Sequence, residues 1–195
     1  MFNFKAPLYL ASTSPRRKKM LHSLGIDFIQ LNVDHEEKIN EKDSPLKNVK
    51  RLAEEKCIKA AENIKNGLVI SADTIVVLDD KIIGKPIDQK DAKRILRKLS
   101  GKTHFVYTGF AIFNVESNKI YVDYEKTKVI FYKLTEQKID DYIKTGSPMD
   151  KAGAYGIQDD FGSLFVKKID GCYNNVMGFP IAKIFQSLEK YNLIA

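Results

Sequence analysis

The chain has 195 residues, 44% of them hydrophobic and 29% charged, with a formal net charge of +7. This length and composition suit one domain with a full hydrophobic core and exclude a disordered or collagen-like chain. No apolar run approaches the roughly 18–20 residues that a membrane-spanning helix needs.

The cysteine content and the N-terminus indicate a reducing compartment. The two cysteines, Cys57 and Cys172, are too few for a disulfide framework and lack the spacing of metal ligands. The apolar stretch near the N-terminus is short and no small-residue cleavage pattern follows it, so we expect no secretory signal. A cytoplasmic protein is therefore predicted.

The positive charge favours an anionic partner, which could be a nucleic acid, a membrane surface or a nucleotide phosphate. Lysine supplies most of this charge, and the sequence contains no dense basic run. We therefore expect neither a stable nucleic-acid complex nor membrane association.

Strands and helices alternate along the chain, and each helix has a recognisable start or stop signal. In chain order the predicted elements are strand 8–11, a helix from Pro15 to Gly25, strand 28–33, a helix from Ser44-Pro45 to Asn66-Gly67, strand 68–78 with a hairpin to 81–83, a helix from Asp88 to Gly101, strands 104–114 and 119–132, helix 135–143, a glycine-rich stretch 146–162, strand 164–169 and a helix from Pro180. This order predicts an α/β fold with a mixed sheet flanked by helices.

The first candidate site is the junction between the first strand and the first helix, Ser12-Thr13-Ser14-Pro15-Arg16-Arg17. Ser14 can cap the helix and Pro15 suits its first turn. Free backbone N–H groups at such a junction attract anions, and two hydroxyls and two guanidinium groups can add charge-assisted hydrogen bonds. Arginines in solvent around an ordinary capped helix are the alternative, but cations in a first turn oppose the helix dipole. We predict a phosphate site.

Lys56 shares the helix face of Val49, Leu52, Ala53 and Ala60. A lysine on an apolar stripe either extends its ammonium group to the surface or meets an anion. The spacing alone leaves both alternatives open.

Asp73 interrupts the apolar run Leu68–Leu78. A carboxylate inside such a run needs a cation, a metal ion or a raised pKa to tolerate burial. A strand-end aspartate that binds backbone amides is the structural alternative. We favour a general base or a Mg²⁺ ligand.

The segment Asp150–Gln158 contains glycines at 153 and 156, which allow close approach of a ligand to the backbone. Gln158 can read the edge of a base through its amide. A tight structural turn would explain the same residues. The three histidines, 22, 35 and 104, share no ligand spacing, so a zinc site is not expected.

Five motifs in this order resemble those of the Maf proteins, which are nucleoside triphosphate pyrophosphatases with an inosine triphosphatase-like fold. The motifs are Ser12–Arg17, Ser71–Thr74 with Lys85-Pro86, Leu99–His104, Asp150–Gln158 and Asn175–Pro180. The resemblance runs from about Leu8 to the last helix, and five ordered motifs are far more specific than one. It implies a single domain over residues 1–195, with two lobes around a central nucleotide cleft.

Arg16, Thr74 and Gln158 make the chain similar to the dTTP/UTP branch of the family, and the resemblance implies that they select the base. It also implies that Asp73 is the catalytic acceptor, and it assigns the phosphates to Ser12, Arg17, Lys56 and Lys85. Glu37 matches the family's acidic position, although a Glu36-Glu37 pair stands where Asp-Glu is commoner, so the resemblance leaves open which of the two glutamates acts. A divalent cation, Mg²⁺ or Mn²⁺, is expected on Glu37 and Asp73.

The leading hypothesis is a metal-dependent enzyme that converts dTTP or UTP to the monophosphate and pyrophosphate. A pyrophosphatase for modified nucleotides is one alternative. Another is a nucleotide- or nucleic-acid-binding regulator of cell division without turnover. Family members are commonly dimers, and Tyr121 and Tyr124 on the long strand pair are candidate exposed interface residues.

Overall fold

A mixed sheet forms the centre of the fold. The structure, a computed structural model, describes residues 4–194, apart from the side chain of Asp160, and this range contains seven strands. In chain order the strands are β1 (Leu8–Ala11), β2 (Ile29–Leu31), β3 (Leu68–Leu78), β4 (Lys81–Ile83), β5 (Thr103–Asn114), β6 (Lys119–Phe131) and β7 (Val166–Asp170). Their order in the sheet is β2-β1-β3-β5-β6-β7, and β4 pairs with β3.

Both strand directions occur in the sheet. β1 runs parallel to β2, with Tyr9 opposite Ile29, and parallel to β3, with Leu10 opposite Ile70. β4 is antiparallel to β3, and β7 is antiparallel to β6. The predicted α/β fold with a mixed sheet is therefore confirmed.

Seven α-helices lie within the described residues: α1 (Pro15–Ser23), α2 (Pro45–Ala61), α3 (Gln89–Leu99), α4 (Glu136–Lys144), α5 (Asp160–Ser163), α6 (Tyr173–Val176) and α7 (Ile181–Lys190). The predicted starts of α2, α3 and α4 are confirmed, because the side chains of Ser44, Asp88 and Thr135 accept hydrogen bonds from backbone N–H groups three residues on. α2 ends at Ala61, about one turn before the predicted Asn66-Gly67.

The sequence patterns missed short elements in two places. The stretch 146–162 contains 3-10 turns at Ser147–Asp150 and Ala152–Ala154 and the start of α5. The one-turn helix α6 was not predicted either. Elements of three or four residues are too short to show a hydrophobic period, so the sequence pattern does not reveal them.

The chain divides into two compact units. The first unit comprises Met1–Asp73, Thr108–Glu125 and Gly178–Ala195. Side chains alternate along β3, so Ile70 and Ala72 join a core with α1 and α7, whereas Val69 joins a second core with α2. A Cβ atom on Gly109 would lie 2.3 Å from the carbonyl oxygen of Val49. A glycine at this position therefore lets α2 pack directly on β5.

The second unit comprises Thr74–Tyr107 and Lys126–Met177. Its core is formed by Val76 and Leu78 of β3 together with the apolar faces of α3 and α4. Asp79 and Asp80 connect β3 to β4 with positive φ angles of 49° and 60°. Aspartate tolerates this conformation better than most residues, which explains the confirmed hairpin.

No helix within residues 4–194 is long and apolar enough to cross a membrane. Cys57 is buried and Cys172 partly buried, and both are free thiols. Burial raises the pKa of the Cys57 thiol to about 12, which makes it an unreactive core residue.

Candidate active site

Asp73 lies on β3, on the face that packs against α2. Two residues earlier on the same face, Ser71 Oγ donates a hydrogen bond to the carbonyl oxygen of Ala53 in α2. Asp73 is 5% exposed. Because β3 is one unbroken strand across Asp73, the carboxylate is held in the sheet and not in a loop.

Lys56 brings a positive charge to this carboxylate. Its Nζ lies 3.9 Å from Asp73 Oδ1 and donates a 2.7 Å hydrogen bond to Glu37 Oε1. Lys56 is itself buried, at 9% exposure. Of the two alternatives that its spacing left open, the structure therefore shows the anion-facing one.

The same contacts distinguish Glu37 from Glu36. Glu37 faces Lys56, and its negative charge is close enough to Asp73 to raise the pKa of that carboxyl group. Glu36 pairs instead with Lys38 at 2.8 Å, and both of those side chains are largely exposed. Glu37 is therefore the acidic residue that joins Asp73.

The electrostatics of Asp73 follow from this packing. Burial, together with the negative charge of the neighbouring Glu37, raises the pKa of Asp73 to about 7, although the charges of Lys56 and Arg17 oppose the shift. A carboxyl group with a pKa near neutrality can bind or release a proton at physiological pH.

Polar side chains of α2 hold the segment that carries Glu37. Lys59 donates to the carbonyl of Asp34, and Arg51 Nη2 donates to that of Lys38 at 2.7 Å. Asn48 is fully buried; its Nδ2 donates to Asn40 O at 2.9 Å, and its Oδ1 accepts from Asn40 N at 2.8 Å.

Sequence reasoning missed Asn48 and Arg51 as supports of this segment. Asn48, Leu52 and Lys56 are spaced four residues apart, so they lie on the same side of the helix. A polar residue on this apolar side was the signal that could have identified Asn48. No comparable signal marks Arg51.

At the predicted phosphate site, the hydrogen bonds at the start of α1 differ from those that we expected. Ser14 occupies the N-cap position but makes no side-chain cap hydrogen bond. The hydroxyl of Ser12 accepts from Ser14 N instead, at 3.2 Å. Ser14 is therefore the N-cap residue by position, as predicted, but its side chain does not form the capping hydrogen bond.

Arg17 connects three parts of the first unit. Its Nε donates to Gly178 O at 2.8 Å, and its Nη1 donates to Ala72 O at 2.7 Å and to Ser12 Oγ at 3.2 Å. Burial lowers the pKa of Arg17, while the charges of Asp73 and Glu37 raise it. Arg17 therefore places a positive charge near Asp73 and Glu37, while its N–H groups donate to the backbone carbonyls of Ala72 and Gly178.

The first unit thus contains six of the nine predicted site residues: Ser12, Arg16, Arg17, Glu37, Lys56 and Asp73. Arg16 is half-buried in the first turn of α1. The structure brings Glu37, Lys56 and Asp73 into one group, and the charge of Arg17 acts on Asp73.

The other three, Thr74, Lys85 and Gln158, belong to the second unit. Thr74 follows Asp73 in β3 and is partly buried. Lys85 is exposed after β4, where the carbonyl of Gly84 accepts a 3.0 Å hydrogen bond from Gly153 N. Gln158 Nε2 donates to Asp159 Oδ1 at 2.8 Å.

The carboxylate pair is suited to a hard divalent cation. The described residues contain no group of three or more histidine, cysteine, aspartate or glutamate side chains placed to hold a metal ion. Mg²⁺ needs no such cage, because one or two carboxylates, water molecules and substrate phosphates complete its shell. Glu37 and Asp73 fit this pattern, since each repels the other's negative charge and a cation would relieve that repulsion.

The histidines take no part in this group. His104 is buried, its Nε2 hydrogen-bonds the hydroxyl of Tyr155 at 2.8 Å, and burial lowers its pKa to about 3. His22 packs against the ring of Phe28, and His35 lies 3.6 Å from Glu55.

The tyrosines expected at an interface pack within the chain. Tyr121 stacks on Tyr191 with a centroid distance of 3.8 Å, and Lys183 lies 5.2 Å from the ring centroid of Tyr124. Both tyrosines are partly buried, so the expectation that they are exposed is wrong.

Comparison with known proteins gives consistent matches over nearly the whole chain. The family model described as Maf-like protein matches residues 7–191. A dTTP/UTP pyrophosphatase of Dictyoglomus thermophilum is 46% identical over 97% of this chain and 100% of its own. Proteins of the same name from Caldanaerobacter subterraneus and Bacillus cereus are 49% and 45% identical, covering 94% and 95% of this chain and 88% and 96% of their own.

Proposed function

The chain belongs to the Maf-like family, and from this premise we propose that it hydrolyses dTTP and UTP to the monophosphate and pyrophosphate. Water attacks the α-phosphorus, and the bond from that phosphorus to the oxygen bridging the α- and β-phosphates breaks. Relatives that carry this activity in their names are 41–49% identical to the chain.

The observation that carries the proposal is the group formed by Glu37, Lys56 and Asp73. Asp73 is buried with a pKa near 7, so its carboxylate can take a proton from the attacking water. A carboxylate that served only to bind backbone amides would not need a buried lysine 3.9 Å away and a second carboxylate beside it. The alternative role for Asp73, as a metal ligand, uses the same geometry.

We assign the phosphates to Lys56, Lys85, Arg17 and Ser12. Hydrolysis of a phosphoanhydride places negative charge on the leaving pyrophosphate, and cations fixed in advance stabilise that charge. Lys56 is held by Glu37, and Arg17 is held by three protein acceptors. Their positions are therefore set before a substrate binds.

Glu37 and Asp73 would hold the divalent cation, Mg²⁺ or Mn²⁺. When bound, the cation neutralises developing charge on the phosphate oxygens. Asn48, Arg51 and Lys59 fix the segment around Glu37, which positions this carboxylate before the cation arrives.

Base selection is proposed for Arg16, Thr74 and Gln158. Uracil and thymine present two carbonyl groups on either side of an N–H, so they need donors for the carbonyls and an acceptor for the N–H. Arginine only donates, whereas threonine and glutamine can donate and accept.

Release of pyrophosphate from a panel of UTP, dTTP, CTP, ATP and GTP, with Mg²⁺ or with Mn²⁺, tests the proposal. We expect turnover of UTP and dTTP that EDTA abolishes. Absence of turnover with every nucleotide would overturn the enzyme assignment and favour a binding role.

We also propose that the protein is a homodimer and works in the cytoplasm. The two free thiols suit a reducing compartment. Light scattering at micromolar concentration tests the dimer, and a monomeric mass would exclude it.

A further inference from the structure

A cluster of polar side chains surrounds Asp159 in the second unit. We call it the Asp159 cluster; its members are Tyr142, Ser147, Lys151, Gln158 and Asp159. Asp159 Oδ2 accepts hydrogen bonds from the hydroxyls of Tyr142, at 2.8 Å, and Ser147. Lys151 Nζ lies 3.4 Å from the same oxygen. Two hydroxyl groups and one ammonium group thus converge on one carboxylate oxygen.

The cluster is too well packed to be an incidental surface contact. Lys151 is 8% exposed, and its ammonium group also donates to the carbonyl oxygen of Ser147 and to Asp150 Oδ1. Burial and Asp159 raise the pKa of Tyr142, so its hydroxyl stays protonated and remains a donor. The hydroxyl and ammonium groups around Asp159 act as donors, and a carboxylate can only accept. They therefore hold the carboxylate of Asp159 in one orientation.

Gly156 closes the cluster from the backbone side. A Cβ atom there would lie 2.6 Å from Asp159 Oδ2 and 2.7 Å from Lys151 Cε. The backbone N–H of Gly156 donates to the Tyr142 hydroxyl at 3.0 Å. The glycine at this position thus allows the loop backbone to rest directly on the cluster, which couples the cluster to the segment that carries Gln158.

The orientation of Asp159 fixes the amide of Gln158. Asp159 Oδ1 is the acceptor of the 2.8 Å hydrogen bond from Gln158 Nε2. A carboxylate can only accept, so the NH₂ end of the amide must face it and the oxygen must face away. Within residues 4–194, Gln158 Oε1 is shielded from solvent and accepts no hydrogen bond from another residue.

We propose that Asp159 is a positioning residue for base selection, because it commits Gln158 to presenting its amide oxygen as an acceptor for the N3–H of uracil or thymine. Cytosine has a bare N3 acceptor at this position, so the fixed amide oxygen would face another acceptor. Shielding from water sharpens this difference, because water cannot replace the missing donor. The inference rests on the proposed role of Gln158 in base selection.

Asp159→Asn tests this positioning role. An asparagine can donate to Gln158, which permits the Gln158 amide to turn and offer its NH₂ group to a bare N3. We expect the ratio of kcat/KM for UTP to that for CTP to fall at least tenfold, while kcat for UTP stays within about threefold of the native value. A change that merely loosened the loop would lower activity on both nucleotides and leave their ratio unchanged.

Asp150→Asn is the matched control, because Asp150 is a second carboxylate that pairs with Lys151, whereas the amide of Gln158 is bound by Asp159. It should keep the native UTP-to-CTP ratio. If Asp159→Asn unfolds, Tyr142→Phe keeps the carboxylate but removes one of its donors, and the ratio should fall by a smaller factor of about two to five.

The outcomes separate this inference from the proposed function. A native protein with no preference for UTP over CTP would overturn the base-reading assignment itself. A native preference that survives unchanged in folded Asp159→Asn, or in Tyr142→Phe where that variant is used, would overturn the positioning role of Asp159 alone.

Discussion

Lys56 Nζ donates a 2.7 Å hydrogen bond to Glu37 Oε1 and places its positive charge between that carboxylate and Asp73. Two neighbouring carboxylates repel each other when both are ionised. Lys56 offsets part of this repulsion from inside the core, and the group is consequently sensitive to changes in any one of its three charges.

Lys56→Met should reduce kcat/KM at least about a hundredfold, a loss comparable to the removal of one charge-stabilising donor from other active sites. The variant removes the ammonium group that is hydrogen-bonded to Glu37 and lies 3.9 Å from Asp73, so we also expect a loss of about 1–3 kcal/mol in the free energy of unfolding. Steady-state kinetics and urea unfolding measure both effects.

Lys47→Met serves as the control on the same helix. Lys47 pairs with Asp43 at the surface, where such pairs contribute little. Its kinetics should be native and its stability should change by less than about 0.5 kcal/mol. Native activity in Lys56→Met would show that Lys56 is only structural.

Asp73→Asn should abolish turnover while nucleotide binding survives or tightens. The amide keeps the shape of the carboxylate but removes both the proton acceptor and the negative charge that faces the phosphates. Pyrophosphate release and calorimetric titration with UTP measure the two properties. Most of the native kcat in this variant would assign Asp73 a structural role.

The same substitution should change the pH dependence of stability when EDTA is present. The native state of Asp73 has a pKa of about 7 and the unfolded state a pKa of about 3.9, so between these values the native state holds the extra proton. The free energy of unfolding therefore falls as pH rises through this window, by at most about 1.4 kcal/mol per pH unit.

Asp73→Asn lacks this titration, so its stability relative to the native protein should increase from pH 5 to pH 8 in urea unfolding experiments. The exposed Asp27 supplies the control, and Asp27→Asn should follow the native curve. Parallel pH profiles for Asp73→Asn and the native protein would contradict the raised pKa.

Arg17→Ala should be strongly destabilising, because Ala72 O and Gly178 O each lose a donor. A buried acceptor left unpaired costs about 1–3 kcal/mol, so a loss of about 2–6 kcal/mol is expected for the two together. Thermal or urea unfolding measures the loss. A change below about 1 kcal/mol would mean that water satisfies both carbonyls.

Arg16→Ala, one residue earlier in the same helix turn, should erode base preference more than stability. A guanidinium group can only donate, so it fits the carbonyls of uracil and thymine and not the amino group of cytosine. We expect the preference for UTP over CTP to fall by roughly ten- to a hundredfold. An unchanged ratio of kcat/KM values would indicate that Arg16 binds phosphate without reading the base.

The sequence alone was sufficient for most of the fold and for part of the site. Asp73 stood out because a carboxylate in an apolar strand needs compensation, and Lys56 because helical spacing placed a charge on an apolar stripe. Helix caps such as Ser44 and Asp88 were also predictable, since they depend on residues only three positions apart. Patterns of this kind can be predicted because they depend only on residues that are close together in the sequence.

Other parts of the site depended on tertiary contacts. The choice between Glu36 and Glu37 is made by Lys56, 19 residues away from Glu37. The segment that carries Glu37 has no hydrophobic periodicity. Its path is fixed by hydrogen bonds from side chains of α2 such as Asn48. Residues without local periodicity obtain their positions from distant hydrogen-bond partners, and only the folded chain brings those partners together.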